Sequence, residues 1–358
     1  MSRQLRRPCR RCKWLVRTVM AVRAIRRDNL ALLTSYGMQT WDILTALASL
    51  HDLYREVFVP ASSCEEFEHT AAYLADQFRL KPSLTRYVPV WFDKNKISSR
   101  EALFLRDEAM VGAADRIVPV SVKKNGNMAT LLRRYPEKEY IDAFLMEYLP
   151  SKQIITYTIN EHEISKDIRS LGETCLFHWT RTVDSAWPDE TLLDYYRAVI
   201  YRDRYPRTAY DSLLHILERK KIFATSRNMP DKFPAVSFTG LRPENLLPLM
   251  RWRSRYRQMS FEPYGIGIDR QYAIDKGVVP VIYYDKKDRA AIAAEDRWRS
   301  QSQGEITDWR REKEYRFAGD FDLSEIPLEK LLAVCRFPDE AAVMRSVTGI
   351  KTISFVRE

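Results

Sequence analysis

The chain has 358 residues, enough for two domains of ordinary size, and 45% of them are hydrophobic and 30% charged, as in soluble globular proteins. No run of 18 apolar residues occurs, so the sequence predicts no transmembrane helix and no membrane partner. The net charge of +10 comes from residues 1–27, which carry nine Arg, one Lys and no acidic residue, whereas 48 basic residues face 48 acidic ones in the remainder. A formally neutral body argues against a basic nucleic-acid-binding face.

The basic leader, residues 1–27, has three interpretations that the sequence leaves open. It is a disordered or helical arm that contacts phosphates or an anionic membrane, an Arg-rich targeting peptide, or a start-site artefact upstream of Met20. The leader contains a CxxC pair, Cys9 and Cys12, but no second pair completes the four ligands of a zinc site, so no metal is expected. The five cysteines are scattered and odd in number, which favours a reduced, cytoplasmic setting without a disulfide framework.

Residues 28–150 alternate apolar stretches with helical patterns. The predicted strands are 29–37, 56–61, 87–92 and 116–122, and the predicted helices are 38–54, 64–78, 99–114 and 128–135. Strands that alternate with helices predict a mostly parallel sheet with right-handed crossovers, and therefore an α/β, Rossmann-like N-terminal domain. A polar linker over 151–173 with one strand (154–159) is expected to follow.

Two loops of this domain are candidates for phosphate binding. Ser35 and Gly37 follow the first predicted strand, and Asn125, Gly126 and Asn127 follow the fourth. Ligands of parallel sheets bind beyond the carboxyl ends of the strands, where the backbone N–H groups that start a helix favour phosphate. Ordinary strand-to-helix turns use the same residue types, so both interpretations remain open.

A helix and a loop around the fourth predicted strand carry a resemblance to known proteins. Arg106 and Met110 precede the strand, and Gly126 and Thr130 follow it. In this order they resemble the Rossmann-like superfamily that includes DprA and the lysine-decarboxylase-like phosphoribohydrolases. Asp107 stands where those hydrolases have Lys, and no Glu follows Thr130 where their catalytic acid lies. The resemblance therefore implies that the first domain binds or senses a nucleotide, and it puts hydrolysis there in doubt.

Five motifs follow in the second half of the chain. They are FHWT (177–180), AVSFTG (235–240), YGIGID (264–269), VVPVIYYD (278–285) and EKEYRF (312–317). Each predicts a short strand that carries a polar residue for which a buried strand has no structural need. In order and spacing, over about 174–340, they are similar to the AbiGi-type abortive-infection family, distant members of the ADP-ribosyltransferase-like fold. The resemblance implies an α+β domain of that fold over 174–358, NAD as cofactor and a role in bacterial anti-phage defence.

The residue types of these motifs suit cleavage of the nicotinamide glycosidic bond of NAD. Such cleavage passes through an oxocarbenium-like state, which a carboxylate near the ribose stabilises; Glu314 is the candidate. Glu312, two residues earlier, is expected to face the same side of the strand and to serve an acceptor. His178 could hydrogen-bond the ribose or the nicotinamide amide. Neighbouring hydroxyl groups and arginines could position the carboxylate or contact the pyrophosphate. These candidates are Thr180, Arg181, Arg227, Ser237, Thr239 and Tyr264.

Each candidate also has an ordinary structural explanation. A His beside a Trp is commonly packed and hydrogen-bonded, Ser and Thr are common in strands, and Glu312 and Glu314 near Lys313 and Arg316 are typical of a surface ion-pair cluster. Residues 244–261 alternate Arg with aromatic residues, which suits either a groove for single-stranded nucleic acid or a helix face with buried rings. No catalytic triad, P-loop or HExxH motif occurs, which argues against a protease, an NTPase or a zincin.

The sequence thus leaves three functions open. The first is an NAD-using ADP-ribosyltransferase or NAD glycohydrolase, with a protein or nucleic acid as acceptor and a nucleotide-sensing N-terminal domain. The second is a non-catalytic protein that binds nucleotide or nucleic acid. The third places a nucleotide N-glycosidase in the first domain. The oligomeric state stays undetermined at this point.

Overall fold

The structure of the protein, a computed structural model, describes residues 7–149, 159–227, 229–253, 258–285, 288, 291–303 and 309–357. The chain forms two compact units: the first comprises Met1–Gln153 and Asp184–Pro206, and the second Ile154–Val183 and Arg207–Glu358. This division differs from the predicted one mainly in the segment 184–206, which belongs to the first unit although it follows the first strand of the second. None of the described helices is both long and apolar enough to cross a membrane.

Ten α-helices and eighteen strands have described bounds. The helices are α1 (Lys13–Arg27), α2 (Gln39–Leu50), α3 (Cys64–Gln77), α4 (Ser99–Ala113), α5 (Asn127–Leu132), α6 (Lys166–Ser170), α7 (Leu192–Tyr201), α8 (Ala209–Arg219), α9 (Arg270–Asp275) and α10 (Pro338–Thr348). The strands are β1 (Leu32–Thr34), β2 (Arg55–Ala61), β3 (Thr85–Trp91), β4 (Arg116–Ile117), β5 (Glu139–Tyr140), β6 (Cys175–Trp179), β7 (Lys221–Ile222), β8 (Ala235–Thr239), β9 (Trp252–Arg253), β10 (Gln258–Met259), β11 (Gly265–Asp269), β12 (Val279–Pro280), β13 (Ile282–Tyr284), β14 (Ser300–Ser302), β15 (Glu314–Ala318), β16 (Phe321–Asp322), β17 (Leu331–Cys335) and β18 (Thr352–Ser354).

A three-stranded parallel sheet organises the first unit, in the order β1-β2-β3. This confirms the prediction of an α/β region with parallel strands. The helix α3 begins as its sequence predicts, because the Ser63 side chain accepts a hydrogen bond from the N–H of Glu66. The core of the unit lies between the sheet and α1, α2 and α7, and its fully buried members include Val22, Ile43, Val57 and Val199.

The basic leader contributes to this core. Residues 13–27 form α1, and Trp14, Leu15 and Val22 on its inner side are buried, so this part of the leader is packed rather than disordered. The helix α7 packs into the same core through Tyr195 and Tyr196 at its centre. An amphipathic helix of this kind lies with the elements that cover its apolar face, which explains why 184–206 belongs to the first unit.

The predicted fourth strand is wrong in extent and in partner. Only Arg116–Ile117 is extended with hydrogen bonds, and it pairs with β5 in a separate two-stranded parallel ladder outside the three-stranded sheet. Pro119 has no N–H to donate to a ladder, which disfavours a longer central strand here. The strand predicted over 154–159 lies outside the described residues except for its last residue.

A seven-stranded sheet organises the second unit, in the order β12-β15-β8-β6-β11-β17-β18. All neighbours are antiparallel except β17 and β18, so this unit is of the mixed, α+β type. Side chains alternate between two faces. One face packs Leu176, Phe238 and Ile266 with residues of α8 and α10, and the other packs Phe177 and Trp179 with residues near α6.

The two glycines of the YGIGID motif make room for aromatic rings. A Cβ on Gly267 would lie 2.6 Å from Cε1 of Phe177, and one on Gly265 would lie 2.7 Å from Cε3 of Trp179. The two rings stack with centroids 5.1 Å apart on this buried face. The glycines therefore permit the close approach of aromatic rings and, at Gly265, also of the main chain, because the same Cβ would lie 2.8 Å from the carbonyl oxygen of His178.

Substitution of Gly267 by Ala is expected to destabilise the protein. The added methyl group must displace the buried ring of Phe177, and overpacking of this kind costs about 1–3 kcal/mol of unfolding free energy, which urea denaturation measures. The double variant Gly267→Ala/Phe177→Leu should lose less than the sum of the two single losses, because a smaller side chain relieves the clash. Equal urea midpoints for the wild type and Gly267→Ala would contradict this packing argument.

Candidate active site

Two neighbouring strands of the larger sheet bring Ser237, Glu314 and Arg316 together. On β15, Glu314 and Arg316 are two residues apart and share a face, and Arg316 is the cross-strand partner of Ser237 on β8. The Ser237 hydroxyl donates to Oε1 of Glu314 at 2.8 Å. Arg316 donates from Nε to the same oxygen at 2.9 Å and from Nη2 to Oε2 at 3.3 Å. The carboxylate is thus held in one orientation by three donors.

Arg316 is itself fixed on every side. It is 2% exposed, and its Nη1 donates to the carbonyl oxygens of Trp298 and Ser300, both at 3.0 Å. Its Nη2 also donates to Oε1 of Gln301 at 3.0 Å. A buried guanidinium is tolerated when its N–H groups are all satisfied and a carboxylate balances its charge. Arg316 therefore serves as a rigid support that sets the position of Glu314.

Glu312 lies next to Glu314, but on a 3-10 helix and not on the strand that was predicted. It ends a short 3-10 helix, Trp309–Glu312, instead of lying on the strand, and Lys313 between the two acids has a left-handed φ of 42°. The two-residue strand spacing therefore does not apply to Glu312. The Thr239 hydroxyl donates to the Glu312 carbonyl oxygen and accepts from the N–H of Leu241, so its role here is to fix the turn.

The environment of Glu312 makes its carboxyl group a candidate proton donor and acceptor. Burial raises the pKa of Glu312 to about 7. The positive charge of Arg253 lowers this pKa and the negative charge of Glu314 raises it further. The Arg253 Nη2 lies 3.3 Å from Oε1 of Glu312. A general acid or base is most effective when its pKa lies near the working pH, so two neighbouring carboxyl groups in unlike surroundings permit a division of roles.

The raised pKa of Glu312 predicts a pH-dependent stability. The folded protein holds this proton up to about pH 7, whereas the unfolded chain releases it near the ordinary value of 4.5. The protonated Glu312 thus contributes fully to the free energy of unfolding below pH 4.5. This contribution, about 3 kcal/mol at most, is lost as the pH rises towards 7. Urea denaturation of the wild type from about pH 4.5 to 7.5 should show this loss. The Glu312→Gln variant should lack that component, and identical pH profiles of the two proteins would exclude it.

The charges of Arg227 and Arg253 act on Arg181, and these three residues of the second unit are here termed the arginine cluster. Burial lowers the pKa of the half-buried Arg181, and the positive charges of Arg227 and Arg253 add to this effect. The exposed Arg227 and the partly buried Arg253 thus lie within electrostatic range of Arg181. The buried Glu262, whose carboxylate accepts from the N–H and hydroxyl of Thr182, offsets part of this charge. Positive charges that act on one another in this way favour a polyanionic ligand such as a pyrophosphate.

The structure separates His178 from this group of side chains. On β6, Phe177 pairs with Thr239, so His178 points to the opposite face, where its ring meets Phe238 edge to face at 6.0 Å. Its Nδ1 lies 2.9 Å from the carbonyl oxygen of Ser237. A carbonyl only accepts, so Nδ1 carries the proton, and burial lowers the pKa of the ring. His178 therefore fixes the main chain of Ser237 from the face of the sheet opposite to Glu314.

Thr180 and Tyr264 also make structural contacts. The buried Thr180 hydroxyl donates to the carbonyl oxygens of Ala209 at 2.8 Å and Tyr264 at 3.1 Å. The phenol of Tyr264 donates to Oε1 of Glu340 at 3.1 Å. These polar atoms are engaged within the fold, which leaves Ser237 and the two acids as the reactive set.

Two contributors were missed in the sequence. Tyr283 lies in the VVPVIYYD motif, and its hydroxyl accepts the N–H of Glu314 at 3.1 Å, while burial raises the pKa of its phenol to about 12. Arg253 lies in the segment that alternates Arg with aromatic residues. It is part of the short strand β9, which pairs with β10, and its side chain contacts Glu312. The alternation suited either a nucleic-acid groove or a helix face, and it gave no indication that a carboxyl group is the partner of Arg253.

In the first unit, Arg106 and Gly37 are brought together. Arg106 is fully buried, donates from Nε and Nη2 to Oδ1 of Asp107 at 3.0 and 2.6 Å, and donates from Nη1 to the carbonyl oxygen of Tyr36 at 3.0 Å. Gly37 adopts a left-handed φ of 79°, which favours glycine, and its N–H donates to Oδ1 of Asp42 at 3.0 Å. Arg106 thus shapes the loop that follows β1.

The other predicted residues of this loop region are placed as follows. Ser35 is buried and its hydroxyl donates to the carbonyl oxygen of Phe58 at 2.7 Å, so it ties β1 to β2. Asn125, Asn127 and Thr130 are exposed. Gly126 precedes α5, and its N–H donates to the carbonyl oxygen of Lys123.

Asp42 is the acidic residue of the first unit that sequence reasoning missed. Burial raises its pKa to about 6, against hydrogen bonds from the Tyr196 hydroxyl and the Gly37 N–H. The signal in the sequence was an acid in the first turn of α2, but its buried partner comes from α7, about 150 residues later.

No protein-family model, curated protein or solved structure matches the chain. Within the part of the chain that the structure describes, no group of three or more His, Cys, Asp or Glu side chains could hold a metal ion.

Proposed function

We propose that the second unit is an ADP-ribosyltransferase-like effector that uses NAD, either to modify a protein or nucleic acid or to destroy the dinucleotide. The observation that carries the proposal is the Ser237–Glu314–Arg316 arrangement with Glu312 beside it. It supplies a rigidly oriented carboxylate and a second carboxyl group with a pKa near neutrality. The AbiGi-like order of the motifs supports a role in anti-phage defence.

Glu314 has the surroundings that the glycosidic step requires. As the bond between ribose and nicotinamide breaks, positive charge develops on the ribose, and a fixed carboxylate next to it lowers the barrier. Ser237 and Arg316 hold Glu314 before the substrate arrives, so little reorganisation is needed during the reaction. The bonding electrons leave with neutral nicotinamide, whose ring nitrogen was positively charged in NAD.

Glu312 suits the second half of the reaction. The nucleophile, an acceptor group or water, loses a proton as it bonds to the anomeric carbon, and a carboxylate with a pKa near 7 can take that proton at neutral pH. Arg253 keeps Glu312 oriented through its 3.3 Å contact.

The arginine cluster supplies the binding end of the site. Arg181 and Arg227 lie close enough to affect each other electrostatically, and a pyrophosphate between them would relieve their mutual repulsion. The charge of Arg253 acts on Arg181, and the Arg253 side chain also contacts Glu312. Arg253 would therefore connect the proposed pyrophosphate-binding residues with the reacting carboxyl groups.

The first unit is proposed to bind a nucleotide that governs this activity. The resemblance of residues 105–132 to nucleotide-binding Rossmann-like proteins motivates the proposal, and the position of Arg106 at the loop of Tyr36 and Gly37 supports it. The missing catalytic Glu favours sensing over hydrolysis.

The proposal is tested with labelled NAD and a bacterial extract. The wild type should release nicotinamide and, as a transferase, label a macromolecule, whereas Glu314→Gln should do neither. Glu329→Gln, a matched change of an exposed acid in the same unit, should behave like the wild type. NAD loss without labelling identifies a glycohydrolase. NAD binding in a calorimeter without turnover by the wild type would support the non-catalytic alternative, and cleavage that survives Glu314→Gln would move the chemistry elsewhere.

A further inference from the structure

Cys9 and Cys12 are held together in a turn that leads into α1. The N–H of Cys12 donates to the carbonyl oxygen of Cys9 at 2.9 Å, and the N–H of Cys9 approaches Sγ of Cys12 at 3.4 Å. The two Sγ atoms are 4.0 Å apart. The proposed NAD chemistry has no use for this pair.

The turn satisfies the main distance requirement of a disulfide. A hydrogen bond between the first and fourth residues keeps their Cα atoms within about 7 Å, and bridged cysteines have Cα atoms about 4.4–6.8 Å apart. The sulfur atoms need to approach by about 2 Å, which rotation about the Cα–Cβ bonds can supply. No large movement of α1 is required.

The turn is also anchored within the first unit. The N–H of Arg10 donates to the carbonyl oxygen of Arg202 at 2.9 Å, and Nη2 of Arg11 lies 3.6 Å from Oδ2 of Asp203. The buried Trp14 and Leu15 fix the first turn of α1 immediately after Cys12. The two thiols are therefore kept adjacent by the fold, which raises their effective concentration for each other.

The pair lies next to positive charge at the start of α1. Both cysteines are half-buried, the exposed Arg10 and Arg11 lie between them, and the positive end of the dipole of α1 adjoins Cys12. Burial raises the pKa of Cys12, which disfavours Cys12 as the first nucleophile, so the first attack is assigned to Cys9. Thiols near cations and a helix start react more readily with disulfides than isolated thiols do.

We propose that Cys9 and Cys12 form a thiol–disulfide exchange site whose substrate is a small external disulfide such as glutathione disulfide. The Cys9 thiolate attacks one sulfur and releases one glutathione thiolate. The Cys12 thiolate then displaces the second glutathione and closes the Cys9–Cys12 bond. Two cysteine thiols are oxidised, one disulfide is reduced to two thiols, and the two protons pass to the released thiolates.

The test uses the full chain in glutathione buffers of graded redox ratio, quenched with acid and alkylated. Trypsin cuts after Arg10 and Arg11, between the two cysteines, so the oxidised wild type should yield two peptides joined only by a reducible bond. Cys12→Ser should instead accumulate one glutathione on Cys9, at least tenfold more than the wild type. Cys9→Ser should react more slowly at Cys12 than the wild type does at Cys9.

Cys64, exposed and outside the pair, is the internal reference. Cys64→Ser should leave formation of the Cys9–Cys12 bond unchanged. The proposal is overturned if the wild type carries glutathione on both cysteines of the pair without a bond between them. It is equally overturned if neither cysteine reacts faster than Cys64 in a folded protein, as checked by circular dichroism.

Discussion

Glu314→Gln is expected to lower the rate of NAD cleavage by on the order of 100- to 1,000-fold, the usual loss when one preorganised electrostatic group is removed from a transition state. The amide keeps the size of the side chain and an oxygen that Ser237 and Arg316 can still bind. It removes the negative charge that the developing positive charge of the ribose needs. The measurement is kcat for nicotinamide release, with circular dichroism to verify the fold.

Ser237→Ala is the companion variant for this prediction. The hydroxyl touches Glu314 at 2.8 Å and orients it without carrying its charge, so a loss near tenfold is expected. Glu329→Gln controls for a general effect of losing one acid. A Glu314→Gln protein that retains its fold and at least half of the wild-type kcat would contradict the assignment of Glu314.

Arg316→Met should reduce the free energy of unfolding by about 3–5 kcal/mol, as expected when one partner of a buried ion pair is removed. The substitution leaves the Glu314 carboxylate without its balancing charge and strips donors from the carbonyl oxygens of Trp298 and Ser300. Urea denaturation measures the loss. Arg242→Met, which breaks the surface contact with Glu244 at 3.2 Å, should cost less than about 1 kcal/mol.

A double-mutant cycle separates the pair from the other contacts of Arg316. Arg316→Met/Glu314→Gln should be less destabilised than the sum of the single variants, because removal of both charges leaves none unpaired. Strict additivity would show that the two side chains do not act as a buried pair.

Local patterns predicted much of the first unit, because its elements are set by neighbours in sequence. The helix α3 begins at residue 64, as predicted, and the apolar runs around β2 and β3 form parallel strands. The prediction of the fourth strand was wrong because strand pairing depends on a partner that is distant in sequence. The apolar residues over 116–122 gave no indication that Arg116–Ile117 would pair with β5. The sequence also could not predict that α7 belongs to the first unit, because this depends on which core its apolar face packs against.

The candidate site shows the same contrast. Ser237 and Glu314 were singled out by motif, and the structure brings their side chains to 2.8 Å. Alternation along a strand can be read from sequence, but the register between β6 and β8 cannot, and that register turns His178 to the other face. The sequence indicated Arg316 as a surface ion-pair partner of Glu314. It could not indicate that Arg316 is buried, because the carbonyl oxygens that fix it belong to the separate segment around Trp298 and Ser300.

The segments of the two units alternate along the chain, which limits how recombination between genes could exchange one unit without the other. The first unit needs residues up to 206, because α7 fills its core, whereas the second begins at residue 154. A single crossover between two genes therefore cannot pass on both units intact: a break anywhere from 154 to 206 deprives one of them of a segment that belongs to it. Either unit can be exchanged alone only by three breaks, at 153/154, 183/184 and 206/207, so the two units are expected to be inherited together.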